Sequence, residues 1–199
     1  MYPKVKIATA AAAIPVTLTE AKAHLRIDNS TEDTLITTLI NVATEYAEKR
    51  LSRSLISQTW DLYLDEFPSE NKIVIPFPPL QSITYIKYYD SNNIQQTWAS
   101  SNYVLDTIKE PGEVVQSSAG SGYPGTYDRP NAVNIRFIAG YGAASTNIPE
   151  TIRAGIKLLI SHLFENREGI VVGQGNAGEL KIPKSIEQLF GQTTMRDMF

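Results

Sequence analysis

"LISQTWDLYLDEF", Leu55 to Phe67, is where the chain changes character. Before it, apolar residues recur every three or four positions. Within it they alternate, and Ile, Leu, Trp and Tyr dominate. A period near two, rich in β formers, reads as strand with one buried face. Working outward in both directions gives helices, then strands, then helices again.

On the N-terminal side, "TLTEAKAHLRI" (17–27) reads as a first helix. Thr17 and Glu20 fit a capping box, with Leu18, Ala21 and Leu25 at helical spacing. "DNST" (28–31) breaks it. Ser30 is expected to cap a second helix from about Glu32 to Leu51, with Leu35, Ile36, Leu39, Ile40, Val42, Ala43, Tyr46 and Ala47 as a wide buried stripe. Glu32 and Asp33 begin that helix and Lys49 and Arg50 end it, as its dipole favours.

On the C-terminal side, "KIVIP" (72–76) is a short strand and "PFPPL" (76–80) breaks the chain with three prolines. "SITYIKYYD" (82–90) alternates, which puts Ile83 and Tyr85 on one face and Thr84, Ile86 and Tyr88 on the other. "SNN" (91–93) reads as a hairpin turn into "IQQTW". "NYVLD" (102–106), "GEVVQ" (112–116) and "AVNIRFIAGYG" (132–142) are further strands. "SSAGSGYPGTYDRPN" (117–131) is a Gly/Ser/Pro-rich loop. Pro149 then opens a helix to about Asn166. Ile152, Ile156, Leu159 and Leu163 line one face of it, Arg153 and Lys157 another. A glycine-rich link leads to a last short helix at about 184–190. The pattern predicts an α+β fold: an α-helical bundle (1–54 and 148–168) carrying an inserted antiparallel β module (55–147) and a flexible, glycine-linked C-terminal arm (169–199).

The bulk numbers exclude several classes. The chain has 199 residues, no cysteine and a net charge of -3. Disulfides, thiolate catalysis and Cys-type zinc sites are ruled out. Residues 1–54 carry 7 basic and 6 acidic groups, 55–147 carry 5 and 9, and 148–199 carry 6 and 6. No segment has the basic composition of a tight nucleic-acid binder. The opening "MYPKVKIATAAAAIP" has a signal peptide's layout, but its apolar run is short, Ala-rich and fronted by Pro3, so secretion is not expected. No segment approaches bilayer-spanning length.

Candidate chemistry is sparse. "VVGQGNAGELKIP" (171–183) contains a literal G-x-G-x-x-G at Gly173, Gly175 and Gly178. A dinucleotide site needs those glycines between a strand and a helix inside a βαβ unit. Pro183 blocks an immediate helix, and only 21 residues follow Gly178. A mobile loop between helices is the expectation. "DNSTED" (28–33) has a calcium loop's alternating oxygens but Asp33 where glycine belongs and Leu39 where glutamate belongs. His24 and His162 lack ligand-spaced partners. Asp61 and Asp65 share a strand face and could be imagined as a glycosidase pair. Trp60, Tyr63, Tyr85, Tyr88, Tyr89 and Trp98 could form a stacking platform, or simply pack the sheet.

The ordered set of segments resembles the phage head-tail connector (head-completion adaptor) family, including its prophage and gene transfer agent relatives. The resemblance is carried by "LTEAKAHLRID" (18–28), "EDTLITTLINVATEYAE" (32–48), "LISQTWDLYLDEFP" (55–68), "IPFPPLQSITYIKYYD" (75–90), "NYVLD", "NAVNIRFIAGYG" (131–142) and "IPETIRAGIKLLISHLFENRE" (148–168). It implies a structural virion protein, not an enzyme, with no catalytic residue, cofactor or metal. Such proteins form a ring, usually dodecameric, beneath the portal protein at the head-tail junction. The ring extends the DNA channel without specific DNA binding and seats the next stopper or tail-completion protein. The chain would be made in the host bacterial cytoplasm, possess no membrane partner, and be monomeric when free or a homo-oligomer ring in the virion.

The resemblance also assigns residues. The portal-docking arm would use Val171, Val172, Leu180, Ile182, Ile186, Leu189 and Phe190, then Met195, Arg196, Met198 and Phe199 at the terminus. Lys22, Arg26, Glu45 and Glu48 would make inter-subunit contacts. Ser121, Tyr123, Tyr127 and Arg129 would belong to a tail-facing loop. The competing reading is a carbohydrate- or receptor-binding module of a phage tail that uses the β-segment aromatics.

Overall fold

The computed structural model describes residues 4–120, 122–167, 170–173, 176–179 and 182–191. In chain order the elements are β1 (Lys4–Thr9), α1 (Leu18–Leu25), α2 (Asp33–Leu51), β2 (Gln58–Leu64), β3 (Lys72–Val74), β4 (Leu80–Tyr89), β5 (Gln95–Trp98), β6 (Tyr103–Asp106), β7 (Glu113–Gln116), β8 (Val133–Ala139), α3 (Glu150–Glu165), β9 (Ile170–Gly173), β10 (Asn176–Glu179) and α4 (Lys184–Gly191). The mixed α+β class read from the sequence is borne out. The chain divides into a β unit, residues 1–12 and 52–143, and a helical unit, residues 13–51 and 144–199.

The β unit holds a five-stranded antiparallel sheet in the order β1-β2-β8-β4-β5 and a three-stranded sheet in the order β3-β7-β6. β8 is the central strand, and its side chains alternate strictly between buried and half-buried. Val133, Ile135, Phe137 and Ala139 point inward and are fully buried. Around them pack Leu62, Ile73, Ile75, Leu80, Ile86, Trp98 and Val114. That core brings together residues from both sheets.

Two strand readings are corrected. Residues 4–9, assigned to the helical core with the rest of 1–54, form the edge strand β1 paired with β2. Nothing local distinguishes that segment, because its partner lies more than 50 residues away. Lys4 and Lys6 on this edge discourage pairing with another chain. In β4 the simple alternation fails: the register against β8 shifts between Ile83 and Tyr85. That bulge returns Ile83 to the core side with Ile86 and Tyr88 and leaves Tyr85 on the other face with Lys87.

The module's entry and exit meet at one corner. The Gly140 N–H donates to the Pro79 carbonyl at 2.9 Å, Tyr141 N–H to Leu55 at 3.1 Å, and Ser57 N–H to the Gly142 carbonyl at 2.9 Å. Gly140 has φ +134°, and a Cβ there would lie 2.6 Å from the Ile56 carbonyl and the Ser57 nitrogen. Backbone cannot swing away as a side-chain tip can. Only glycine fits on both counts. Nearby, buried Arg53 donates to the Tyr141 hydroxyl at 3.1 Å and pairs with Glu110.

In the helical unit the expected α1 capping box is present: Glu20 N–H donates to the Thr17 hydroxyl at 3.2 Å, and Thr17 N–H to the Glu20 carboxylate at 2.9 Å. The α2 start is closed differently from expectation. Asn29 Oδ1 accepts the Thr31 N–H at 3.1 Å and the Ser30 carbonyl accepts the Asp33 N–H at 3.3 Å, so no Ser30 side-chain cap is needed. The buried α2 stripe is narrower than predicted: Ile36, Ile40, Ala43, Ala47 and Leu51 are buried, while Val42 is 48% exposed. α3 buries Ile152, Ile156, Leu159 and Ile160. Arg153, placed with Lys157 on a face apart from the apolar one, is buried as well. Its guanidinium pairs with Glu20 of α1 and Glu150 of α3, and its Nε donates to the Pro15 carbonyl at 3.3 Å. A buried cation is tolerated because its donors are met. No described helix is long and apolar enough to cross a membrane.

Two outcomes follow from this packing. Gly140→Ala should destabilise the protein by about 2 kcal/mol or more, from the positive φ together with the backbone clash, read as a lowered denaturant midpoint. A control Gly125→Ala, where no atom lies within 4 Å, should change little. Glu20 supplies a pH dependence. The Thr17 N–H first, then its hydroxyl and Arg153, hold the Glu20 carboxyl below its ordinary value against partial burial. A depressed folded-state value stabilises above the unfolded value and is lost as pH falls. Glu20→Gln should therefore flatten the loss of stability below about pH 5, measured as Tm against pH.

Candidate functional site

The described surface offers one built polar face, on the side of the five-stranded sheet away from its core. Register places Lys6, Asp61, Arg136 and Tyr85 in one row across β1, β2, β8 and β4. Lys4, Tyr63, Asn134 and Lys87 form the next row. Arg136 Nε and Nη2 donate to the two Asp61 oxygens at 2.8 Å each. Asp61 is buried beneath this fork. Asp61 also raises the Arg136 guanidinium further above its ordinary value. The same guanidinium sits 5.1 Å from the Tyr85 ring centre, with Lys87 Nζ 4.7 Å from it. Arg129 stacks 4.1 Å over the Tyr89 ring. All of these groups except Lys4 and Lys6 line an open depression of about 350 Å³ with Gln95 and Asn131.

The arrangement presents charges held by pairing and by aromatic rings. Both Asp61 oxygens accept from Arg136. Asp65 accepts from Lys4 at 2.7 Å and from the Asn131 N–H at 2.8 Å, which hold its carboxyl below the ordinary range. A glycosidase acid needs the opposite shift. Among the described residues no group of three or more His, Asp or Glu is placed to hold a metal.

The structure redistributes the aromatics. Trp98 is buried, with Phe67, Tyr103 and Tyr123 around it at ring distances of 5.1–5.6 Å. Tyr88 packs against Phe67, and Trp60 against Phe77. Only Tyr63, Tyr85 and Tyr89 of the imagined platform reach the polar depression. Tyr123, expected in a tail-facing loop, stacks on Phe67 at 4.7 Å with the rings nearly parallel. The loop folds back because its tyrosine completes the core. Tyr127 is 41% exposed and shares a surface hollow with Asn93, Arg129 and Pro130. Ser121 lies outside the described residues.

The arm and contact residues are also placed. Gly173 and Gly178 lie on an antiparallel hairpin, β9 with β10, in which Val172 faces Ala177 and Val171 faces Gly178. Residues 170–173 and 176–179 are thus paired strands where a loop was expected, and Gly173 and Gly178 lie within that pairing and not in the turn from a strand into a helix that a nucleotide site needs. Ile186 and Phe190 of α4 are buried within their own unit. Phe190 lies over Gly155 of α3, where a Cβ would come within 2.7 Å of the ring, and its centre is 6.2 Å from Tyr46 of α2. Those two side chains cannot also insert into a partner while α4 stays docked. Ile182 and Leu189 are half-buried. Leu180, Met195, Arg196, Met198 and Phe199 lie outside the described residues. Lys22 is paired with Asp33 at 2.7 Å, Glu45 with Lys49 at 3.3 Å, and Glu48 is half-buried. Arg26 caps α1 with φ 57°. Sequence reasoning missed the Asp61–Arg136–Tyr85 row. The signal was the charges at outward positions of "YIK" and "NIRF", but register was needed to join them.

Phe190→Ala should cost about 3–5 kcal/mol if α4 contributes to the folded core as its burial indicates, measured by denaturant unfolding. A change within error would mean that α4 does not dock in solution.

The phage gp6-like head-tail connector family model matches residues 15–110, in agreement with the resemblance read from the sequence. None of the curated proteins matches the sequence. Among solved structures, a chain from the virion of a native gene transfer agent particle superposes with a TM-score of 0.73 at 19% identity, covering 95% of this chain and 94% of that one. A chain from the neck of the empty particle, computed with C6 symmetry, gives 0.73 at 20% identity, covering 94% and 93%. One from the neck of the native particle, computed with C12 symmetry, gives 0.70 at 20%, covering 96% and 94%.

Proposed function

We propose that this protein is a structural head-tail connector: it forms a ring at the head-tail junction of a phage-like particle, beneath the portal. The observation that carries this reading is the shared fold over 95% of the chain with a gene transfer agent virion protein, joined to the connector-family sequence match over residues 15–110. The C6 and C12 symmetry of the related necks is the source of the ring. In this role the ring continues the DNA channel and seats the next head-completion or tail protein. It is an assembly part and not an enzyme. The segment from 169 to 199 docks on the portal through residues beyond those α4 buries in its own unit.

The test is co-purification with the portal protein of the same particle, imaged by negative-stain electron microscopy. A ring stacked on the portal is expected. A chain stopped at Glu168 should fail to co-purify; because it also loses the Phe190 ring over Gly155, a chain stopped at Gly191, which keeps α4, is compared with it and should fold as wild type and co-purify more weakly. A full-length chain that ignores a well-formed portal would overturn the connector reading. Retained binding by the chain stopped at Glu168 would overturn the docking role of the C-terminal segment alone.

A further inference from the structure

The β unit is electrically polarised. It carries eight cations and nine carboxylates. Five of the cations, Lys4, Lys6, Lys87, Arg129 and Arg136, lie on or beside the polar sheet face; of the carboxylates Asp61 and Asp65 lie on it, and Asp90 and Asp128 adjoin its margin residues Tyr89 and Arg129. Asp61 and Asp65 are already engaged, by Arg136 and Lys4. Lys6, Lys87 and Arg129 have no carboxylate within salt-bridge distance among the described residues. The face therefore carries three cations that no described carboxylate pairs with. Elsewhere in the unit carboxylates outnumber cations, and the three cations there, Arg53, Lys72 and Lys109, are paired with Glu110 and Glu113. Glu66 and Glu70 there are exposed and likewise lack a described counter-ion.

We infer that the polar face of the five-stranded sheet is one half of a head-to-tail interface and docks a carboxylate-bearing surface of a second copy of this chain. A ring built by rotation is heterologous and requires two different, complementary faces on each subunit. A unit positive on one face and negative elsewhere supplies both from one sequence. Burying such surfaces against each other needs donors beyond charge. The hydroxyls of Tyr63, Tyr85 and Tyr89 and the amides of Gln95, Asn131 and Asn134 supply them around the cations. The cations are held in place: Lys87 and Arg136 on the Tyr85 ring, Arg129 on Tyr89 with a further hydrogen bond to Asn93 Oδ1 at 3.1 Å. Side chains ordered before contact lose less entropy on binding. A second copy is favoured over a nucleic acid because the complementary charge is present on the chain itself, and because the chain is acidic overall.

The inference rests on the ring reading, and the experiment separates the two. The full-length chain and the variant Lys6→Glu/Lys87→Glu are each assembled with the portal and imaged, with thermal unfolding as the check on folding. Wild type should form rings, and their yield should fall as salt is raised. The variant should fold with an unchanged Tm and need about tenfold more protein, or fail, to reach the same ring yield. Because the variant keeps the acidic half of the interface, mixing it into wild type should cap growing assemblies and reduce ring yield below simple dilution. If wild type forms rings and the folded variant matches it, alone and in mixtures, the inference is wrong and the connector reading stands. If wild type forms no ring with a competent portal, both fall. Should a short duplex DNA bind wild type through Lys6 and Lys87 while ring yield is indifferent to them, the face serves a phosphate backbone and the inference is overturned. A variant that misfolds is replaced by Lys6→Gln/Lys87→Gln, which removes the charges without reversing them and must show the same defect in smaller degree.

Discussion

The longer stretch of the β unit, residues 52–143, begins and ends at one backbone corner, and its architecture depends on that corner. An insertion needs its first and last strands side by side. Here β2 and β8 pair over seven residues, from Gln58 with Ala139 to Leu64 with Val133. Just beyond that ladder the chain turns at Gly140 against Ile56 and Ser57, closer than any side chain permits. Three backbone hydrogen bonds and one from Gln81 Nε2 to the Gly140 carbonyl at 2.7 Å close the corner. With both ends pinned, β8 lies in the centre of the sheet and its inward residues become the core. The "AGYG" segment that helps carry the family resemblance thus has a steric reason.

Centrality of β8 also explains the polar face. A strict alternation that buries Phe137 must present Arg136 to the opposite side. Placed between β2 and β4, that arginine has Asp61 on one flank and Tyr85 on the other, which satisfies its fork and stacks its plane. The interior and the charged surface are two consequences of one strand's register. The bulge in β4 serves both. It keeps Ile83, Ile86 and Tyr88 on the core side and frees Tyr85 for the outer row.

The helical unit solves a different problem with a buried cation. Arg153 joins α1 and α3 through Glu20 and the Pro15 carbonyl, and the same Glu20 completes the α1 capping box. One carboxylate therefore caps the start of a helix and neutralises a core arginine. On the other side of α3, Gly155 leaves the space that Phe190 of α4 fills. The C-terminal helix is in this respect part of the unit's core.

Much was legible in the sequence because it depends on near neighbours. Helix periodicity, the Thr17–Glu20 box, Pro149 at the start of α3, strand alternation in "NIRFIA" and the hairpin after Tyr89 are all local, and each gave the right element. The absence of a cysteine and the broken nucleotide and calcium patterns were equally plain. What only the tertiary structure decided involves residues far apart in the chain. The segment "KVKIAT" becomes strand β1 because β2 offers a free edge. Arg153 is interior because Glu20, 133 positions earlier, meets it. Tyr123 turns inward because Phe67 and Trp98 leave a slot for a ring. The Asp61–Arg136 pair, 75 residues apart, exists only once β2 and β8 are in register. Local propensity sets which elements form. Which faces they bury, and which charges they bring together, is set by pairings no short window contains.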